Sequence, residues 1–172
     1  MAAMKQANFF IAVLLAFVVA ACSRPVAPFS SAHVDQSVSQ QSRYPLAAEP
    51  SLVGTYSGRS KSGGGYFYDH VLEYRVWLHP EQGAVPLAGD DDYFAAFAQY
   101  ESALAFSQAH KGAEPPVVLV RQLESINEPS PGVYQHQSGA RITEWQPQWL
   151  PGSKREPDSI TKFLAAQAST QK

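Results

Sequence analysis

The sequence predicts an α+β fold: a small, mainly antiparallel sheet with one covering helix and a short C-terminal helix, set behind a signal peptide and a flexible tether. Three observations predict it. Apolar runs of strand length recur between turn-forming clusters, in a chain with 13 prolines and 11 glycines. One segment between two such runs carries Tyr93, Phe97, Tyr100 and Leu104 at helical spacing, and a helix is expected from about Gln99 to Lys111. Late in the chain, two more runs are separated by only Ser138-Gly139, the pattern of a hairpin.

The first 21 residues read as a leader. Lys5 is their only charge, followed by the apolar run Phe9–Val18 and by small residues, the parts of a secretory signal. As a helix, residues 7–21 would rise about 22 Å, short of a ~30 Å hydrocarbon core. The segment targets rather than spans. Val19-Ala20-Ala21-Cys22 resembles the lipobox of bacterial lipoproteins, in which an aliphatic residue and two small ones precede a cysteine. That resemblance implies a lipid on the Cys22 thiol and cleavage just before it. Each buried methylene contributes ~0.8 kcal/mol, and two or more acyl chains give stable anchoring. Ser23, where an aspartate would retain such proteins at the inner membrane, then implies the periplasmic face of the outer membrane. Two alternatives stay open: ordinary cleavage after Ala21 leaving a free thiol, and translation starting downstream. Cys22 is the only cysteine, so no intramolecular disulfide can form.

Residues 22–51 read as the lipidated cysteine and a tether of Ser, Gln, Pro and Ala without sustained period. A single domain is expected over 52–168. Its best strand is Val71–Leu78, with Leu72, Tyr74, Val76 and Leu78 on one face and Val71, Glu73, Arg75 and Trp77 on the other. Pro80 ends it, and residues 83–92 form a polar connection. Tyr93, Phe97, Tyr100 and Leu104 would suit one long helix; a strand over Tyr93–Phe97 followed by a helix from about Gln99 to Lys111 is favoured. Gly112 suits the helix C-terminus, and His110 and Lys111 complement its negative end. Val117–Leu123 reads as a central strand, and Glu128–Gly132 as a turn. Val133–Gln137 and Ala140–Trp145 then form the hairpin, and Asp158 caps a closing helix bearing Ile160, Phe163 and Leu164.

Charge narrows the function classes. Lys+Arg 13 against Asp+Glu 15, with no basic face or run of like charge, gives no sign of nucleic-acid binding. Asp90-Asp91-Asp92 lack the alternation and following glycine of a calcium loop, and His70, His79 and His136 have no zinc spacing, so no metal is expected. Asp69-His70 would be an acid–base pair only with a nucleophile opposite, and Ser60 and Ser62 lie in no nucleophile elbow. The segment Ser57–Gly65 has the glycines of a phosphate cradle without the Gly-Lys-Ser/Thr ending of a P-loop. No catalytic residue and no cofactor are assigned. Trp77, Trp145 and His70 are the candidate ligand-binding residues, the two indoles as a stacking platform for a sugar or peptide. The favoured reading of the two rings is that helix or tail residues, with Phe163 and Leu164, cover both and make a second small core.

From Ser62 to about Leu164 the chain resembles a family of short proteobacterial proteins, through Lys61–Tyr68, Val71–Trp77, Gly89–Phe94, Glu114–Pro116 and Arg141–Trp145. Some members are labelled GNAT-type N-acetyltransferases. That label implies acetyl-CoA, held by a glycine-containing loop between a strand and a helix. The nearest string here, Arg59-Ser60-Lys61-Ser62-Gly63-Gly64, has serine at the first glycine. Three functions stand: a lipid-anchored, non-enzymatic binding or scaffolding module with an envelope protein as partner, an acetyl-CoA-dependent transferase, and glycan or peptidoglycan binding.

Overall fold

The computed structural model describes residues 42–61, 64–87 and 89–170; the leader, Cys22 and the tether up to residue 41 lie outside the described residues. Strands β1 (His70–Leu78), β2 (Tyr93–Phe97), β3 (Val117–Ser130) and β4 (Val133–Trp145) form one antiparallel sheet in the order β2-β1-β3-β4. Helix α1 (Tyr100–Ala109) connects β2 to β3, and α2 (Ser159–Thr170) follows the last strand. The α+β class is as the sequence predicts, and Tyr93–Ala109 takes the strand-then-helix form. Among the described residues, no helix is long and apolar enough to cross a membrane.

One face of the sheet carries the main core. Tyr74 and Val76 of β1, Val118 and Val120 of β3 and Trp145 of β4 are buried there in register, beneath Ala103 of α1. Phe97, Tyr100 and Phe106 pack around them. Val71 joins this face because β1 carries a bulge: Val71 pairs with Val120 and Glu73 with Leu119, leaving Leu72 as the extra residue. Strict alternation had put Val71 on the far side.

The late hairpin differs from expectation. β4 runs unbroken through Ser138-Gly139, and the chain reverses at Pro131-Gly132, where Gly132 has φ +78°. Ser138-Gly139 is a bulge: Gln122 pairs with Arg141 and Glu124 with Ser138, so Gly139 and Ala140 face Leu123 alone. Gly139 has φ +109°. A small polar residue before glycine marks a need for positive φ, which a bulge meets as well as a turn does. Pro129 is tolerated within β3 because β1 pairs only as far as Arg121, leaving that edge without a ladder to break.

The domain also begins earlier than Leu52. Tyr44 and Ala47 are buried, and the amides of Ala47 and Ala48 donate to Ala98 O (3.0 Å) and Val71 O (2.8 Å). Glu101 of α1 accepts from the Ser42 hydroxyl and the Arg43 amide, each at 2.8 Å. Polar composition concealed this packing, which centres on Tyr44 meeting Tyr100 edge-on at 4.7 Å. At the other end, Asp158 pairs with Lys162 Nζ (2.5 Å), and the Ser159 hydroxyl accepts the Glu156 amide (2.9 Å). Phe163 of α2 packs against Tyr66, Phe67 and Tyr134.

Candidate functional site

The second face of the sheet is built around charge. Residues two apart on a strand share a face, so Glu73 and Arg75 stand together, and both are fully buried. Arg75 Nε donates to Glu73 Oε1 (2.6 Å) and Nη1 to Glu144 Oε1 (2.8 Å). The segment 53–61 lies across them as a strap. The Gly54 amide donates to Glu73 Oε2 (2.7 Å), and Arg75 Nη2 donates to Ser57 O (2.7 Å). Gly58 then passes over Phe94 and Trp77, where a Cβ would sit 3.2 Å from the Phe94 ring. The Lys61 amide finally donates to Ile142 O (2.9 Å), fixing the strap to β4.

Between the end of this strap and the sheet lies an open cleft of about 430 Å³, lined by Arg59, Ser60, Lys61, Arg121, Ala140 and Ile142 among others. No carboxylate is among its described lining residues. Arg121 has Glu49 at 3.6 Å as its ion pair; Arg59 and Lys61 have no side-chain ion pair among the described residues. Cationic residues lining a concave surface suit an anion, arginine in particular matching carboxylate and phosphate oxygens two at a time. A hollow of this volume falls within the roughly 300–1,000 Å³ range of small-molecule sites. Arg141, also at its rim, bonds through Nε to Gln122 Oε1 (2.8 Å). Its Nη2 is buried without a partner among the described residues, and burial holds its pKa below the ordinary arginine value.

The chain beyond Gly64 continues into β1, not into a helix. The charge here comes from side chains of the strap and β3, with no helix N-terminus behind the loop. Sequence reasoning noted the Ser57–Gly65 glycines and missed Arg121, which register alone brings to the cleft.

The structure separates the three residues singled out earlier. Trp77 pairs with Phe94 on the strap face, meeting its ring at 5.2 Å. Trp145 pairs with Val118 on the core face and is only 1% exposed. The two indoles stand on opposite sides of the sheet, so they form no shared platform. His70 is exposed at the start of β1, opposite Arg121. Asp69 does not pair with it: its carboxylate takes Arg155 Nε (2.7 Å) and the Leu123 amide (2.6 Å), and no acid–base dyad forms.

A second cluster sits at the far end of β1. His79 Nδ1 lies 2.9 Å from Asp92 Oδ1 and 3.8 Å from Glu81, while Nε2 lies 2.9 Å from Glu114 Oε1. His79, Glu81 and Asp92 present ligand atoms within 4.8 Å of one another, a grouping that sequence spacing did not show. With a carboxylate at each nitrogen, the geometry suits an imidazolium donating both ways. The Asp92 hydrogen bond raises the His79 pKa above the ordinary ~6.5, burial opposes this, and Glu114 adds to it. Because the folded pKa is the higher one, the stabilisation is fully present below pH ~6.5 and disappears as pH rises through the folded value. Denaturant midpoints measured from pH 6 to 9 should fall for the wild type and stay flatter for His79→Gln. Parallel profiles would remove the clasp.

No protein family, curated protein or solved structure matches this chain.

Proposed function

We propose that this chain is a lipid-anchored cell-envelope protein, held through Cys22 at the periplasmic face of the outer membrane, whose domain is a non-enzymatic module binding an anionic ligand. The observation that carries the binding half is that Arg59, Lys61 and Arg121 line one cleft with no carboxylate among its described lining residues. The anchor is supported by the Val19–Cys22 string in the sequence. A second reading, acetyl-CoA-dependent transfer, draws on the same cations, because Arg59 and Lys61 belong to the string nearest to a pyrophosphate loop, one with serine at its first glycine.

One set of measurements on the full chain tests these readings. Wild type should sediment with membranes and Cys22→Ser should be released. In detergent, inorganic phosphate should raise the unfolding temperature of the wild type, ligand at a hundred times Kd adding about 2.7 kcal/mol. Arg121→Gln should bind phosphate at least tenfold more weakly. Membrane retention of Cys22→Ser would overturn the anchor, and absence of any phosphate effect would overturn the cleft. Stabilisation by acetyl-CoA alone would favour the transferase.

A further inference from the structure

Next to the basic cleft is a second hollow of about 390 Å³, sharing Lys61, Ala140 and Arg141 with it. Its lining is of another kind: Ser125, Asn127, Gln137 and Ser138, with Gly139 of the bulge. Ser125 pairs with Gln137, and Asn127 lies two residues further along β3, so these three side chains occupy one face of the hairpin. The bulge opens the site, since a Cβ added at Gly139 would meet nothing within 4 Å. Ser125 is 1% exposed, yet its hydroxyl has no hydrogen-bond partner among the described residues. Buried hydroxyls are ordinarily satisfied, so this one is an open valence at the wall of a polar hollow.

We propose that the two hollows form one site for an anionic sugar, a hexose-sized ring carrying a phosphate or carboxylate. This rests on the basic cleft being an anion site. The charged group would lie against Arg59, Lys61 and Arg121, and the ring hydroxyls would meet Ser125, Asn127 and Gln137. Side-chain amides both donate and accept, as sugar hydroxyls do, which makes this lining a match for a polyol. Among the described residues neither hollow is lined by an aromatic ring, so a nucleobase would find no stacking partner in that lining.

The test is calorimetric titration of the full chain in detergent with glucose 6-phosphate, inorganic phosphate, glucuronate and acetate. At least one sugar acid should bind tenfold or more tightly than its sugar-free anion, and which one does so identifies the anionic group. The double variant Asn127→Ala/Gln137→Ala, altering partly or fully exposed side chains, should bring that affinity down to the level of the simple anion. Its affinity for the simple anion should stay within twofold of wild type. Equal affinity for sugar acid and simple anion would overturn the sugar while leaving the anion cleft standing. So would a double variant that loses both in parallel. Absence of binding by all four probes would overturn the cleft as well.

Discussion

Replacing Arg75 by alanine will lower the unfolding free energy by about 3–5 kcal/mol, the range for removing one partner of a buried ion pair. The magnitude follows from what is left behind. Glu73 is fully buried, and its remaining hydrogen bond among the described residues would be from the Gly54 amide at 2.7 Å. Glu144 would lose its 2.8 Å partner as well, although with 23% of its side chain exposed it can recover water. Glu144→Gln should therefore be milder. Arg75→Met combined with Glu73→Leu should recover most of the loss, because a packed apolar pair avoids the uncompensated charge. The strap makes this more than a stability result. Arg75 also holds Ser57 O, two residues before Arg59, so the alanine variant should bind phosphate more weakly even under conditions where it stays folded. Urea melts give the first quantity and titration the second. A loss below about 1 kcal/mol would mean water already reaches the network and would remove the argument for its burial.

This network also marks where sequence reading stops. Period-2 alternation in Val71–Leu78 placed Glu73, Arg75 and Trp77 on one face. It could not say that the face would be covered, because the cover is the strap 53–61, whose glycines and serines carry no apolar period. The long apolar run of β3 and the helical spacing of α1 were legible for the opposite reason: burying many side chains on one surface imposes a repeat. Bulges leave no such mark. One extra residue at Leu72 moved Val71 to the core, and one at Gly139 turned a supposed reversal into continuous strand. The candidate sites were less legible still. His79 meets Asp92 and Glu114 across the sheet end, and Arg121 and Lys61 come to line one cleft through their shared neighbour Ile142 of β4. Both are long-range consequences of register. The tryptophans show the same limit from the other side: aromatic content left a ligand shelf and a covered second core both open, and pairing put the rings on opposite faces.

Trp145→Ala should be the other severe lesion, and it separates packing from binding. The ring is 1% exposed, edge-on to Tyr68 at 5.8 Å and beside Trp149 at 6.3 Å, in the cluster that includes Val118, Val120 and Leu150. Removing a buried tryptophan side chain costs about 3–5 kcal/mol through lost contacts and the cavity left behind. Trp145→Phe should be much milder for a specific reason. The indole Nε1–H is buried without a partner among the described residues, so the smaller ring gives up volume while relieving an unsatisfied donor. If Trp145 met a ligand instead, phenylalanine would weaken binding and spare stability. The core assignment requires the reverse order: alanine far below phenylalanine in denaturant midpoint, with phosphate affinity in Trp145→Phe unchanged from wild type. A phenylalanine variant that keeps its midpoint but loses phosphate would place Trp145 in the site after all. That outcome would contradict the register pairing it with Val118 on the face opposite the cleft.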